Sequence, residues 1–188
     1  YRRPSTLFDD LLLPAEVKHR LLRLSQNQQA RPEPLLLYFQ GPYGVGKQTT
    51  AEALSYEAGM GLFVVDGEQL LMATELATET AIQLVMREAL LQNAVLYWQG
   101  FDFLLSEERR PWRDRLLRTL AQRPGLTILA GDTTWEPVAL LPELPFVRIE
   151  FAKPTYGERH QLWPRSLNGD MPVAASVDLA ALTAKFRF

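Results

Sequence analysis

The stretch Gly41-Pro42-Tyr43-Gly44-Val45-Gly46-Lys47-Gln48, with Thr49 and Thr50 behind it, has the residue types and spacing to hold a phosphate. Glycines let a backbone curl until several N–H groups face one anion. A lysine at the end of the curl supplies the charge that reaches the outer phosphates. The stretch follows an apolar run, Leu35-Leu36-Leu37-Tyr38-Phe39, and precedes Ala51-Glu52-Ala53-Leu54-Ser55, which reads as helix. Strand, glycine-rich turn and helix, in that order, are the context such a loop requires. The helix adds the positive end of its dipole. Residues Gly41 to Thr49 are therefore the expected nucleotide-binding set.

One position departs from the pattern. After the lysine, a Ser or Thr hydroxyl normally ligates magnesium; here the residue is Gln48. Its amide oxygen is the candidate metal ligand, carried on a longer arm. Thr49 is no direct substitute, because one further helical residue turns the side chain by about 100°. The loop reads as a phosphate cradle and argues against magnesium-dependent hydrolysis at once.

These residues need a scaffold, and the chain is long enough for one. Its 188 residues, 47% hydrophobic and 22% charged, suit one well-cored domain with at most a small appendage. The net charge of −2 does not favour a nucleic-acid partner. With no cysteine, disulfides and thiolate metal sites are excluded. His19 and His160 form no metal motif and read as structural. No apolar run approaches the roughly 20 residues of a membrane span, and no signal-peptide pattern is present. A cytoplasmic location without membrane partners is expected. The chain opens at Tyr1 without methionine and stops at Phe188 inside an expected helix, which suggests a fragment of a longer protein.

An extended leader, Tyr1 to Asp10, precedes a helix opened by Pro14, with Val17, Leu21, Leu22 and Leu24 on its apolar side. This helix is expected to fade over Gln26 to Ala30. Apolar strands are expected at Leu35–Phe39, Gly61–Val65, Ala94–Trp98, Leu126–Ala130 and Phe146–Phe151. Helical periodicity covers most of Glu68 to Asn93, with an interruption near Thr74 to Thr80, and Pro111 to about Gln122. Asp66 reads as a helix N-cap, with Gln69 at the capping-box position. Phe101 to Ser106 is a loop with a short turn. Thr155 to Leu167 and Val177 to Phe186 read as further helices. Alternating strands and helices imply a parallel sheet covered on both faces. Ligands bind such sheets beyond the carboxyl ends of the strands. The loop at Gly41 and a polar cluster at Asp132 would both lie there.

In this order of elements the chain resembles the AAA family of P-loop ATPases, with residues 41–49 as the Walker A motif. More narrowly, it resembles the degenerate first module of bacterial proteins that carry two such modules in tandem. The resemblance implies a three-layer αβα P-loop NTPase with a five-stranded parallel sheet, followed by part of a small helical lid. The implied boundaries are 1–34 for the leading segment and helix, 35–152 for the α/β core and 153–188 for the start of the lid. Phe8-Asp9-Asp10-Leu11 matches the family's leading segment, and Thr155-Tyr156-Gly157-Glu158-Arg159 the start of its lid. The implied cofactor is ATP or ADP, with magnesium in doubt. The implied partners are a second AAA module of the same parent chain and a homo-oligomeric ring.

The departures from the family are chemical. Its second motif, Walker B, ends a strand in Asp-Glu, for magnesium and for the attacking water. Here Gln99-Gly100 stand in those places, so no catalytic residue is assigned; Asp102 matches a structural position. Loss of a positioned general base alone costs about 10²–10⁴ in rate. The family's γ-phosphate sensor matches Thr133, to within one residue either way, and Asp132 in that place would repel the phosphate. Pro137 to Pro145 contains no arginine to reach a neighbour's site, and Arg148 reads as an edge residue. Gly67 to Asn93 contains no aromatic residue of the kind that grips substrate in a central pore. Arg109, Arg110, Arg113, Arg115 and Arg118 near Trp112 read as a solvated face or subunit contact. Trp98, Trp112, Trp135 and Trp163 are assigned to core and interface packing.

Three readings follow: an ATP-binding module with degenerate hydrolysis motifs, regulatory or structural within a larger tandem-module ATPase; an active ATPase with unorthodox metal ligation; and a structural assembly module that binds no nucleotide.

Overall fold

A computed structural model of the chain describes residues 8, 11–30, 33–73, 78–137, 144–160, 181 and 183, with backbone alone at 29, 73 and 78. Its elements run α1 (Ala15–Ala30), β1 (Leu35–Gln40), α2 (Lys47–Glu57), β2 (Gly61–Asp66), α3 (Gly67–Ala73), α4 (Thr78–Leu91), β3 (Ala94–Gln99), α5 (Arg110–Ala121), β4 (Leu126–Gly131) and β5 (Phe146–Glu150). Short 3-10 turns at Phe101–Leu104 and Glu107–Arg109 join β3 to α5.

The five strands form one parallel sheet in the order β2-β3-β4-β1-β5. Each strand is apolar almost throughout because successive side chains enter opposite cores. Leu35, Leu37 and Phe39 of β1 pack with Leu21 of α1 and Ala51 and Leu54 of α2. Leu36 and Tyr38 pack on the other face, with Ile82 and Met86 of α4 and Leu116, Leu117 and Leu120 of α5. Two helical layers thus enclose the sheet, as the three-layer expectation requires.

α1 does not fade at Gln26 but continues to Ala30. Ser25 and Gln28 are buried and extend the inward stripe begun by Leu21, and the Ser25 hydroxyl donates to Leu22 O at 2.8 Å. The polar composition hid that stripe from a reading based on hydrophobicity. The long helical region after β2 is two helices; residues 74–77, where the interruption was expected, lie outside the described residues. Of the leader only Phe8 is described, buried in the core; Trp163 and most of the two last expected helices also lie outside the described residues.

Residues 156–160 are helical and begin in a capping box. Thr155 N donates to Glu158 Oε2 at 2.7 Å, and Glu158 N donates to Thr155 Oγ1 at 3.3 Å. The backbone hydrogen bond from Thr155 and then its hydroxyl hold the Glu158 carboxyl below its usual range. Of the tryptophans assigned to core and interface packing, Trp98 is fully buried in the core, whereas Trp112 is 37% exposed on α5.

A Cβ placed on Gly67 would collide with Trp98 Nε1, and the indole has no free space to retreat into. Gly67→Ala should therefore destabilise the fold by about 1–3 kcal/mol through overpacking. Urea unfolding measures this, and a loss under about 0.5 kcal/mol, typical of an unconstrained surface site, would show that the indole repositions freely.

Candidate functional site

The loop between β1 and α2 is anchored at its first residue. Gly41 N donates to Gly131 O at 3.0 Å, and Phe151 N donates to Gln40 O at 2.7 Å. Gly41 has φ 153°, and a Cβ there would collide with Phe151 O, so only glycine lets the loop leave the sheet between β4 and β5. Gly46, at φ 89° and ψ 16°, caps α2 without any side-chain hydrogen bond to the helix N-terminus. The first N–H groups of α2 are thus left facing the loop, the arrangement that receives an anion.

Lys47 turns back over the loop. Its ammonium donates to Gly41 O, to Pro42 O and Gly131 O at 3.3 Å each, and to Asp132 Oδ1 at 2.9 Å. The lysine side chain is 11% exposed and the aspartate 60%, so the pair spans the boundary between loop and solvent.

The metal side of the site is built differently. Gln48 sends its amide along α2, where Nε2 donates to Glu52 Oε1 at 3.0 Å. Gln99 ends β3 and donates from Nε2 to Asp66 Oδ2 at 2.8 Å. The other Asp66 oxygen accepts from Gln69 N at 2.9 Å, so the expected N-cap at α3 is present and both carboxylate oxygens are engaged. Gly100 follows at φ 70°. Among the described residues no group of three or more carboxylates or histidines is placed to hold a metal ion. Gln48 and Gln99 thus bring amides, not a hydroxyl or carboxylate, to this side of the site, and the Nε2 of each donates to a neighbouring carboxylate.

Asp102 closes the gap between β3 and β4. Its Oδ2 accepts from Asp132 N at 2.6 Å and its Oδ1 from Thr133 N at 2.8 Å. Tyr38 adds a third tie, donating its hydroxyl to Thr133 O at 2.6 Å. Gly131 is required at this crossing, because a Cβ would stand 2.5 Å from Tyr38 Oη and 2.8 Å from Asp102 Oδ2. These ties fix which residue meets the lysine. Asp132 and not Thr133 reaches Lys47; Thr133 is held through its backbone, and Thr134 accepts from Gln40 Nε2 at 2.7 Å.

Two cavities flank the loop. One, of 540 Å³, is lined by Lys47, Gln48, Asp66, Gln99, Asp102 and Asp132 among others, and Thr133 is not part of its wall. The other, of 410 Å³, lies behind Gly44 to Gly46 and is walled by Leu11, Leu12, Leu13, Pro14, Phe151 and Pro154. A mostly apolar pocket on one side of a phosphate cradle has the chemistry to enclose a nucleobase. Thr49 borders both cavities, and Pro42 and Tyr43 form the outer turn, with Tyr43 95% exposed.

Residues 37–134 match the family described as "ATPase family associated with various cellular activities (AAA)". The chain belongs to the AAA family. Among solved structures, a chain from work described as "Structural Basis for Katanin Self-Assembly" superposes with TM-score 0.71 at 23% identity, over 96% of this chain and 65% of that one. The AAA domain of FIGL-1, solved with ADP, superposes with TM-score 0.72 at 17% identity, over 96% of this chain and 67% of that one. At these identities the two structures share the fold, and this chain spans about two thirds of their length. Among curated proteins no sequence matches. Among the described residues no helix is long and apolar enough to cross a membrane.

In this AAA module most of the arginine cluster is spent on its own surroundings. The Arg109 guanidinium lies 3.7 Å from the centroid of the Phe103 ring, Arg113 donates to Leu105 O at 3.3 Å, and Arg115 pairs with Glu79. Arg148, on the edge strand β5, pairs with Glu136 at 2.9 Å. Sequence reasoning gave no role to Arg123. It is buried and donates to Ala94 O at 2.8 Å and Leu126 O at 3.2 Å, joining the starts of β3 and β4. Burial lowers its pKa from the usual arginine value. A charged residue directly before Pro124-Gly125 gave no local signal of burial.

Burial first, then the charges of Asp102 and Asp132, raise the Tyr38 phenol above its usual value of 10.0. The hydroxyl's contribution to stability is fully present below pH 10 and is lost as pH rises toward the folded-state value. Tyr38→Phe should cost about 1 kcal/mol, the net worth of one hydrogen bond. The gap between wild type and variant should stay level to about pH 10 and narrow above it. Denaturant titrations across that range measure the gap; a constant difference at alkaline pH would mean that the phenol ionises alike in folded and unfolded chains.

Proposed function

We propose that this AAA module binds ATP or ADP and hydrolyses ATP weakly or not at all. The observation that carries the reading is a contrast within one site. The phosphate side keeps its glycine geometry, its uncapped helix N-terminus and Lys47. On the catalytic side, Gln99 and Gly100 replace the two Walker B carboxylates, and the Gln99 amide is committed to Asp66. Binding needs only the first half; phosphoryl transfer needs placed charge and a placed water as well. Bound nucleotide would lay its phosphates along Gly41 to Thr49 and its base against Leu11 to Pro14.

On this reading the module is regulatory or structural, the degenerate first module of a cytoplasmic protein whose second AAA module supplies the turnover. Its core spans 35–152 and its lid begins at 153. Self-assembly is named for the katanin structure, and ring formation here is proposed for the longer parent protein. The absence of an arginine in the stretch 137–145 argues against a ring built by this module alone.

Asp66 and Glu68 on the wall of the larger cavity favour a second reading, an ATPase with unorthodox ligation. It is the weaker one, because both Asp66 oxygens already accept hydrogen bonds.

Titration with a fluorescent ATP analogue tests binding. Lys47→Ala should lower affinity about ten- to a hundred-fold, the loss of a charge-assisted contact of about 1.5–3 kcal/mol. Unchanged affinity would favour the structural module that binds no nucleotide. In a turnover assay the wild-type chain should run no faster than Lys47→Ala, and turnover abolished by that substitution would favour the second reading. Gln99→Asp with Gly100→Glu should not produce fast hydrolysis on its own. Gly100 sits at φ 70°, where a side chain costs about 1–2 kcal/mol, and no arginine finger is supplied.

Sedimentation tests assembly. The chain should be largely monomeric at micromolar concentration with or without ATP, and an ATP-dependent hexamer would contradict the division of labour.

A further inference from the structure

The charges around Lys47 are strongly one-sided. Among the residues lining the 540 Å³ cavity, Lys47 is the sole cation, and it faces the carboxylates of Asp66, Glu68, Asp102 and Asp132. Asp66 and Asp102 are engaged by hydrogen bonds from Gln69, Gln99, Asp132 and Thr133, whereas Asp132 is aimed at the lysine itself, at 2.9 Å. The Asp132 backbone is fixed beside the lysine, because its own N–H is held by Asp102 and the next residue is held by Asp102 and Tyr38.

Lys47 is the group that reaches the outer phosphates. An oxygen bonded to its ammonium at the usual charge-assisted distance lies within about 6 Å of the Asp132 carboxylate. At that separation two like charges repel strongly in a partly shielded site. The last phosphate of a triphosphate brings extra negative charge to the Asp132 side. A diphosphate ends sooner, and the N–H groups of the loop and of α2 can hold it. A divalent ion would normally offset the added charge, but Gln48 and Gln99 bring neutral amides where a hydroxyl and a carboxylate would hold it most strongly.

We propose that Asp132 is a specificity-determining residue that makes this site prefer nucleoside diphosphates over triphosphates. The proposal rests on the nucleotide-binding reading above and names the ligand class for the same site. The carboxylate acts twice: it competes for Lys47 with any incoming phosphate, and it repels the terminal phosphate of a triphosphate most.

Calorimetric titration of the 188-residue chain with ADP and with ATP, each with and without magnesium, tests it. The wild-type chain should bind ADP at least about ten-fold more tightly than ATP, a difference of about 1.4 kcal/mol. Raising the salt concentration should shrink the ratio, since Asp132 is solvent-accessible and its field is screened. Asp132→Asn keeps the backbone N–H that Asp102 holds and removes the charge, so it should tighten ATP binding more than ADP binding and bring the ratio close to one. Asp132→Ser is a second neutral variant, and thermal melts of both confirm that the fold is retained. ATP bound as tightly as ADP by wild type, or a ratio unmoved in both neutral variants, overturns the proposal while leaving nucleotide binding intact. Failure of every variant and the wild type to bind either nucleotide overturns both readings together.

Discussion

β4 pairs with β1 along its whole length, from Leu35↔Leu126 to Gln40↔Gly131, and with β3 along its other side. That double pairing brings the carboxyl ends of three strands to one edge. Each end carries a residue the site uses: Gly41 after β1, Gln99 at the end of β3 and Asp132 after β4. The hydrogen bonds from Asp132 N and Thr133 N to Asp102, and from the Tyr38 hydroxyl to Thr133 O, then lock the edge. Parallel pairing alone leaves strand ends with unsatisfied backbone groups. Here a carboxylate and a phenol satisfy them, and in doing so they set the orientation of the loop after β4.

On the proposed reading the site separates two tasks that an ATPase ordinarily combines. Glycine conformation and helix polarity form the phosphate cradle, and neither depends on titratable chemistry. Hydrolysis would depend on carboxylates at the end of β3, where Gln99 instead links β3 to the α3 cap through Asp66. An amide in that place contributes to the packing of the edge and contributes no charge. On the proposed reading the site keeps the geometry that backbone provides and lacks the carboxylates that side chains would have provided.

The surface charges follow the same division. Of the arginines that look like an exposed basic patch in sequence, Arg109, Arg110, Arg113 and Arg115 are bound to a nearby carbonyl, ring or carboxylate within the module. Arg123 goes further and is drawn into the sheet to satisfy the carbonyls of Ala94 and Leu126. Five donors on one planar group make arginine suited to bridging carbonyls from two strands at once.

Much of the fold was legible from local signals. Five apolar runs separated by helical periodicity specify a covered parallel sheet, and the glycine spacing before Lys47 specifies the cradle, because both depend on backbone preferences of short stretches. The Asp66–Gln69 cap was legible for the same reason. The absence of carboxylates at Gln99 and Gly100 was also plain from the sequence. What only the tertiary structure decided was pairing between distant residues. The buried polar stripe that extends α1 through Gln28, the burial of Arg123, and the choice of Asp132 over Thr133 as the partner of Lys47 all arise from contacts across the sheet. A one-residue difference after β4 turns the chain to another face, and no local propensity selects between Asp132 and Thr133. Asp102, thirty residues earlier in the chain, makes that selection by holding two successive backbone N–H groups.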